Sequence, residues 1–160
     1  HAAPRLSEVS FSHEQAMEYH DRLIQEVVRM LIAGLVHGDL SEFNVLIDSD
    51  GPVIIDLPQA VNAASNNNAR MMLERDVNNM RDYFGHYAPE LLTTTYAKEI
   101  WNHYAHGELT TDIKLTGYFE ESTIAADVEN GMKVMQGYVD RDDYTVDNGP
   151  FDAFFIGNFF

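Results

Sequence analysis

The sequence contains no cysteine, no long apolar run and few basic residues. Without cysteine, neither a disulfide nor a thiolate metal site can form, which fits a reducing compartment. No apolar stretch reaches the roughly 18 residues that a membrane-spanning helix requires. The amino end, HAAPRLSEVSF, lacks the basic and apolar regions of a secretory signal. We therefore expect a cytoplasmic protein without a membrane segment.

The scarcity of lysine and arginine sets the electrostatic expectations. The chain has 26 acidic residues against 10 lysines and arginines, and its formal net charge is −16. Such a field repels the nucleic-acid backbone and argues against direct nucleic-acid binding through a broad face. An acidic cleft can instead attract Mg²⁺, the usual companion of a nucleoside triphosphate. Solubility alone would also account for the charge, so both interpretations stay open.

The sequence does contain enough apolar residues for one domain with a core, since 45% of its 160 residues are hydrophobic. Ser12 and Gln15 have the spacing of a capping box, which predicts that a helix begins there. The helix should continue to about Ala33, and Gly34 is placed to end it. Asp76 is a good capping residue and marks a place where a second helix could break. The remaining helices are predicted at Ala69 to Tyr83, Leu91 to Tyr104 and, more weakly, Glu120 to Tyr138.

Two short apolar segments predict a β-hairpin between the first two helices. Asn44 to Asp48 reads NVLID and Val53 to Ile55 forms the second strand, with the turn sequence DSDG between them. We expect the hairpin to pack on the first helix. The predicted fold class is therefore α+β and mainly helical, with one small hairpin.

Three polar residues are predicted at one end of this hairpin or on the loop that precedes it. Asn44 opens the first strand and Asp56 follows the second, so antiparallel pairing should bring them to the same end. Their oxygens are hard ligands suited to Mg²⁺. Asp39, on the preceding loop, would be free to orient or deprotonate an acceptor hydroxyl. Phosphoryl transfer requires this combination of a metal clamp and a residue that positions the nucleophile.

The spacing of these residues is more specific than their types. The run from His37 to Asn44 matches the protein-kinase catalytic loop H-R-D-L-x-x-x-N, with Gly38 in place of the arginine. Asp56 then falls where the metal-binding aspartate of D-F-G belongs. The competing interpretation is a polar turn between a helix and a strand. In such a loop, we expect His37 to pack and to hydrogen-bond the backbone instead of transferring protons.

The motifs resemble those of the RIO family of atypical serine/threonine protein kinases. The resemblance rests on LVHGDLSEFNVLI, GPVIIDLPQAV and ERDVNNMRDYF, and it covers roughly Ser7 to Phe119. A weaker resemblance to small-molecule kinases of the aminoglycoside and choline type rests on the shared HGDL…N…IID pattern. DLPQAV and ERDV favour the RIO family. The implied fold is the carboxy-terminal lobe of a protein kinase, in which the hairpin carries the catalytic and metal loops.

The resemblance also implies roles for individual residues. Asp39 would be the catalytic aspartate, and Asn44 and Asp56 would bind the Mg²⁺ (or Mn²⁺) that accompanies ATP. Ser41 would lie beside the nucleotide, where typical kinases carry a lysine. Asp56 would also be a candidate phospho-acceptor, so an alternative is an ATPase-type switch in ribosome assembly that works through an aspartyl-phosphate. A protein substrate or a ribosome-assembly factor would be the partner.

Further expectations complete the prediction. Pro58 replaces the glycine of D-F-G, and its fixed φ predicts a stiff metal loop. The sequence contains no G-x-G-x-x-G loop and no V-A-I-K-like lysine, so half of an ATP site is missing. We therefore expect residues 1–119 to be the carboxy-terminal lobe without its ATP-binding amino-terminal lobe, and to be inactive alone. Residues 120–160 would form an acidic helical extension with the aromatic tail FDAFFIGNFF.

Overall fold

The first helix, α1, spans His13–Ile32 and is the longest element described in the computed structural model, which describes residues 2–57 and 60–120. The Ser12 hydroxyl accepts from the Gln15 backbone N–H at 3.1 Å, and the Ser12 N–H donates to the Gln15 side chain at 3.0 Å. The predicted capping box is therefore confirmed. Gly34 has φ 88° and follows the last turn, a conformation that favours glycine and ends the helix.

In the described part of the chain, four short strands come after α1. β1 is Leu35–Val36, β2 is Val45–Asp48, β3 is Gly51–Ile54 and β4 is Val61–Asn62. β2 and β3 form the predicted antiparallel hairpin, with Val45 opposite Ile54 and Asp48 opposite Gly51. β1 pairs with β4, also antiparallel, in a second two-stranded sheet. β3 contacts α1, as the sequence predicts.

The second helix, α2, spans Ala69–Gly85 without interruption. The predicted alternative of a break near Asp76 is therefore wrong. The helix continues because the Asp76 side chain is buried and accepts hydrogen bonds from another segment, so it does not cap a helix end.

The third helical region differs from its prediction because it is divided in two. A 3₁₀ turn at Pro89–Thr93 comes first, and helix α3 at Tyr96–Ala105 follows. At the division the Thr94 hydroxyl donates to the Leu91 carbonyl at 2.6 Å, and the Thr95 N–H donates to the Gly117 carbonyl at 2.7 Å. Threonine side chains compete with helical backbone bonds in this way, which accounts for the division.

The core lies between the three helices. Residues at helical spacing on α1 and α2 are fully or almost fully buried, and α3 adds Ile100. The buried apolar residues of α1 and α2 are Ala16, Leu23, Ile24, Val27, Val28, Leu31, Ala69, Leu73, Val77, Met80 and Phe84. No helix among the described residues is long and apolar enough to cross a membrane. Residues His1–Phe119 form one compact unit. The predictions for Pro58, for the helix from Glu120 and for the aromatic tail fall outside the described residues.

The segment before α1 lies along the outer side of β2. The Ile47 N–H donates to the Pro4 carbonyl at 2.8 Å, and the Ser7 N–H donates to the Glu42 carbonyl at 3.0 Å. Leu6 is fully buried, and its carbonyl accepts from the Tyr83 hydroxyl at 2.8 Å. The segment therefore joins the hairpin to α2.

Candidate active site

His37 lies in the loop between β1 and β2 and fixes this loop through two hydrogen bonds of its ring. The His37 ring is buried, and its Nε2 lies 2.7 Å from the carbonyl oxygen of Ile55. Its Nδ1 accepts from the Asp39 backbone N–H at 3.2 Å. One neutral tautomer, with the proton on Nε2, satisfies both bonds. The prediction that His37 packs and bonds the backbone is confirmed.

Asp39 combines an exposed side chain with a fixed backbone. Its carboxylate faces solvent, whereas Gly38 and Leu40 on either side are buried. Gly38 has φ 89°, a left-handed conformation that costs L-residues with a Cβ about 1–2 kcal/mol. Glycine at this position therefore lets the chain turn so that the aspartate points outward while its neighbours remain inside.

The buried carboxylate of Asp76 on α2 fixes the backbone on both sides of Asp39. Its Oδ2 accepts from the Gly38 N–H at 2.7 Å, and its Oδ1 accepts from the Leu40 N–H at 3.0 Å. Burial raises the pKa of the Asp76 carboxyl, and the two N–H donors and the Arg75 guanidinium reduce this rise. The ionised form can accept both bonds at once, so helix α2 sets the position of the loop.

Asn44 and Asp56 lie at the same end of the hairpin. The Asn44 carbonyl accepts from the Ile55 N–H at 2.8 Å, so Asp56 follows directly after the last paired residue. The Asn44 side-chain NH₂ donates to the Asp39 carbonyl oxygen. This bond uses the amide nitrogen and leaves the amide oxygen available as a ligand.

Asp56 has an unusual backbone conformation. Its φ is 64°, and it is the one non-glycine residue with positive φ in the described part of the chain. Its side chain is exposed. Strained backbone of this kind is concentrated at active sites and ligand clamps. The conformation therefore distinguishes Asp56 from a residue that merely ends a strand.

Ser41 takes part in the turn between Asp39 and Asn44. Its hydroxyl oxygen accepts from the Phe43 N–H at 3.2 Å, and its carbonyl accepts from the Asn44 N–H at 3.0 Å. Accepting this bond does not use the hydroxyl hydrogen, so the hydroxyl can also act as a donor. Ser41 thus shapes the turn that delivers Asn44 to the start of β2.

Asp76 is the site residue that sequence reasoning missed. The sequence does carry an indication of its role, because Asp76 falls on the apolar stripe of α2 that Leu73, Val77 and Met80 define. A carboxylate on a core-facing stripe needs buried donors. Which donors it finds depends on how α2 packs against the loop, and the sequence pattern does not contain that information.

Comparison with known proteins identifies the family. The RIO domain matches residues 1–97, more than half of the chain. The chain belongs to the RIO domain family. This confirms the resemblance that the motifs around Asp39 and Asp56 indicate.

Several similar proteins are named RIO-type or RIO serine/threonine-protein kinases. Rio2 of Methanocaldococcus jannaschii is 43% identical over 77 residues, which is 48% of this chain and 28% of that protein. Rio1 of Haloferax volcanii is 43% identical over 83 residues, 51% of this chain and 27% of that protein. Human RIO1 is 38% identical over 92 residues, 57% of this chain and 16% of that protein. The match thus spans between 16% and 28% of the length of these relatives.

A solved structure confirms the fold class. The Rio2 kinase of Chaetomium thermophilum, crystallised as an ADP/Mg²⁺-phosphoaspartate complex, is similar with a TM-score of 0.50 and 31% sequence identity. The similarity covers 64% of this chain and 33% of that one. The α+β, mainly helical architecture with its small hairpin is therefore that of part of a RIO kinase.

Proposed function

We propose that this RIO chain carries the catalytic and metal-binding part of an ATP- and Mg²⁺-dependent serine/threonine protein kinase. Asp39 would orient the acceptor hydroxyl and take its proton as the acceptor oxygen bonds to the γ-phosphorus and the bond to ADP breaks. The observation that carries this proposal is the exposed Asp39 carboxylate on a loop whose backbone is bonded to buried Asp76. A rigid backbone under an accessible carboxylate suits a group that must position a substrate.

Asn44 and Asp56 are proposed to hold the divalent cation. The Asn44 amide oxygen is left available, and the Asp56 carboxylate is exposed at the same end of the hairpin. Mg²⁺ is commonly bound through one or two protein oxygens together with water and substrate phosphates, so these two residues fit it, and Mn²⁺ can replace it. The bound cation would supply charge neutralisation on the phosphates. Ser41 would contribute its hydroxyl hydrogen towards the nucleotide.

A second candidate function uses Asp56 as a phospho-acceptor. Asp56 is exposed and backbone-strained, and the similar Rio2 kinase was crystallised as a phosphoaspartate complex. In this scheme an Asp56 oxygen bonds to the γ-phosphorus, ADP leaves, and water later hydrolyses the acyl phosphate. Net ATP hydrolysis would then drive a conformational switch, with a ribosome-assembly factor as the partner, in place of phosphate transfer to a protein substrate.

We further propose that residues 1–160 turn over ATP negligibly by themselves. The phosphate-covering glycine loop and the paired lysine of a kinase are not in this sequence. An ATP-binding lobe of the same protein would supply them. Robust Mg²⁺-dependent turnover by these residues, abolished by Asp39→Ala, would contradict this inactivity and support the assignment of Asp39.

The metal site can be tested without turnover. Mn²⁺ is added to the ¹⁵N-labelled chain with and without ADP, and paramagnetic broadening of amide signals is recorded. We expect broadening around Asn44 and Asp56 that Asn44→Ala or Asp56→Ala removes and Asp39→Ala largely retains. Asp48→Asn, at the other end of the same hairpin, is the matched control and should change nothing. Broadening that survives both Asn44→Ala and Asp56→Ala would refute the site.

A further inference from the structure

Four backbone polar groups flank Asp39, and side chains of α2 bond to all of them. These groups are the N–H and the carbonyl of Gly38 and of Leu40. Asp76 accepts from both N–H groups. The two carbonyls accept from different side chains: Arg75 Nη2 donates to the Gly38 oxygen at 2.6 Å, and Asn79 Nδ2 donates to the Leu40 oxygen at 3.0 Å. The N–H and carbonyl groups of both residues next to Asp39 are therefore bonded to side chains of one helix.

The spacing on α2 explains how one helix can make all four bonds. Arg75 and Asn79 are four residues apart and so lie on one face, with Asp76 beside them. Loop carbonyls near a surface are usually left to water. Here the Asn79 amide and the Arg75 guanidinium donate to these carbonyls in place of water. The guanidinium is charged and therefore makes the stronger type of hydrogen bond. The bond to Arg75 is notable because an exposed arginine on a helix more often points into solvent.

We propose that Arg75 and Asn79 act together as a carbonyl clamp, a pair of positioning residues for the catalytic aspartate. Asp76 bonds the His37–Gly38 and Asp39–Leu40 peptide planes through their N–H groups, so it does not hold the Gly38–Asp39 and Leu40–Ser41 planes. The carbonyl clamp bonds these two remaining planes to α2 through their carbonyl groups. This inference rests on the proposed function of Asp39, but the hydrogen bonds that it concerns can be tested separately.

The carbonyl clamp also affects the proposed metal site through Asp39. The Asn44 side chain donates to the Asp39 carbonyl, which lies between the two clamped peptide groups. When the Asp39 carbonyl moves, the Asn44 amide loses its fixed orientation. Arg75 and Asn79, neither of which is a proposed ligand, should therefore control how well Asn44 presents its oxygen to a cation.

The test is amide hydrogen exchange of the 160-residue chain, measured by NMR, for Arg75→Met and for Asn79→Leu. Each substitution keeps a side chain of similar length and removes the donor. The matched controls on the same helix are Arg81→Met, in which the wild-type side chain bonds Asp82, and Asn78→Leu. We expect the Gly38 and Leu40 amides to exchange on the order of tenfold faster in each clamp variant. The amides of Leu23 and Val27 inside α1 should keep their wild-type rates. The Mn²⁺ broadening around Asn44 should also weaken in both clamp variants and persist in both controls.

Two results would overturn the carbonyl clamp. One is unchanged exchange at Gly38 and Leu40 in either clamp variant that folds. The other is equal acceleration in the loop and in α1, which would show a general loss of stability and no local positioning. Failure of the proposed function gives a different result. In that case Mn²⁺ broadens the amide signals of neither Asn44 nor Asp56 in the wild-type chain. The exchange experiment does not depend on metal or nucleotide, so the two failures are distinguishable.

Discussion

The ring of His37 and the carbonyl of Ile55 are joined by a 2.7 Å hydrogen bond. His37 begins the loop that carries Asp39, and Ile55 immediately precedes Asp56. The second ring nitrogen accepts from the backbone of Asp39 itself. One buried imidazole therefore links the proposed catalytic residue to the strand end that carries a proposed metal ligand.

Replacing His37 by leucine should destabilise the fold and loosen this link. The substitution leaves the Asp39 N–H and the Ile55 carbonyl without their partner, and a buried orphaned group costs about 1–3 kcal/mol. Urea unfolding followed by the fluorescence of Trp101 measures the loss. His86→Leu, at an exposed position, is the control and should stay within about 0.5 kcal/mol of wild type. Equal stability of the two variants would contradict a structural role for the His37 ring.

Removing the carboxylate of Asp76 should destabilise the fold more than replacing His37 by leucine. In Asp76→Ala both the Gly38 and the Leu40 N–H lose their acceptor, so we expect a loss of about 2–5 kcal/mol in the free energy of unfolding. Asp82→Ala, at an exposed position on the same helix, should cost less than about 1 kcal/mol. Chemical denaturation of both variants gives the comparison. A loss below about 1 kcal/mol for Asp76→Ala would show that water replaces the carboxylate.

Alanine at Gly38 should damage the site as well as stability. Both Gly38 and Gly107 have left-handed φ, 89° and 70°, so alanine at either position should cost about 1–2 kcal/mol. A Cβ at Gly107 would meet nothing within 4 Å, so Gly107→Ala isolates the backbone cost. Thermal unfolding should show similar losses for both variants. The Mn²⁺ broadening around Asn44 should weaken in Gly38→Ala alone, and equal broadening in both variants would contradict the role given to Gly38.

Asp56→Gly should increase the stability of the fold and abolish the proposed metal binding. Glycine adopts φ 64° without a steric penalty, so relief of the strain should raise the free energy of unfolding by about 0.5–1 kcal/mol. The same change removes a proposed metal ligand, so Mn²⁺ broadening should disappear. Asp56→Asn is the companion variant, because asparagine tolerates this conformation and removes only the charge. A less stable Asp56→Gly chain would show that the carboxylate makes an intramolecular contact that outweighs the strain.

Stability should fall in mild acid because of His20. His20 is 2% exposed and packs against Tyr96 and Phe84, and burial lowers its pKa from 6.5 to about 4. The unfolded chain therefore binds a proton between these values and the folded chain does not. The stability that neutral His20 provides is complete above pH 6.5 and is lost as the pH falls towards 4, by up to about 3 kcal/mol.

The measurement is the free energy of unfolding between about pH 4 and pH 7, for wild type and for His20→Phe. The phenylalanine variant should lose the part of the slope that His20 contributes, whatever its absolute stability. Parallel curves for wild type and His20→Phe would show that His20 does not titrate in this range.

Local signals in the sequence predicted those features that depend on neighbouring residues. The Ser12–Gln15 capping box, the end of α1 at Gly34 and the existence of the hairpin all arise within short segments, and the structure confirms each of them. The second strand of the hairpin is Gly51–Ile54, where the sequence predicted Val53 to Ile55. The position of Asp56 after the second strand follows from the same hairpin. Local chain geometry alone fixes the positions of these features, so hydrophobic periodicity and turn residues are sufficient to predict them.

Features that depend on packing between distant segments were missed. The pairing of β1 with β4 involves only two residues in each strand and joins Val36 to Val61 across 25 positions, so no periodicity marks it. The bonds from Asp76 to the loop likewise join residues 36 and 38 positions apart. For the same reason the division at Thr94 and Thr95 depends on Gly117, which lies beyond the next helix.

The segment from Pro4 to Ser7 has one more consequence. An isolated two-stranded sheet is marginally stable in water, and the open side of such a strand is a template for pairing with another chain. Here the Pro4 carbonyl occupies the outward N–H of Ile47, and a proline at this position offers no N–H of its own to continue the ladder. A segment of the same chain therefore covers the open edge of β2, directly after the proposed metal ligand Asn44, where a strand of another chain could otherwise pair.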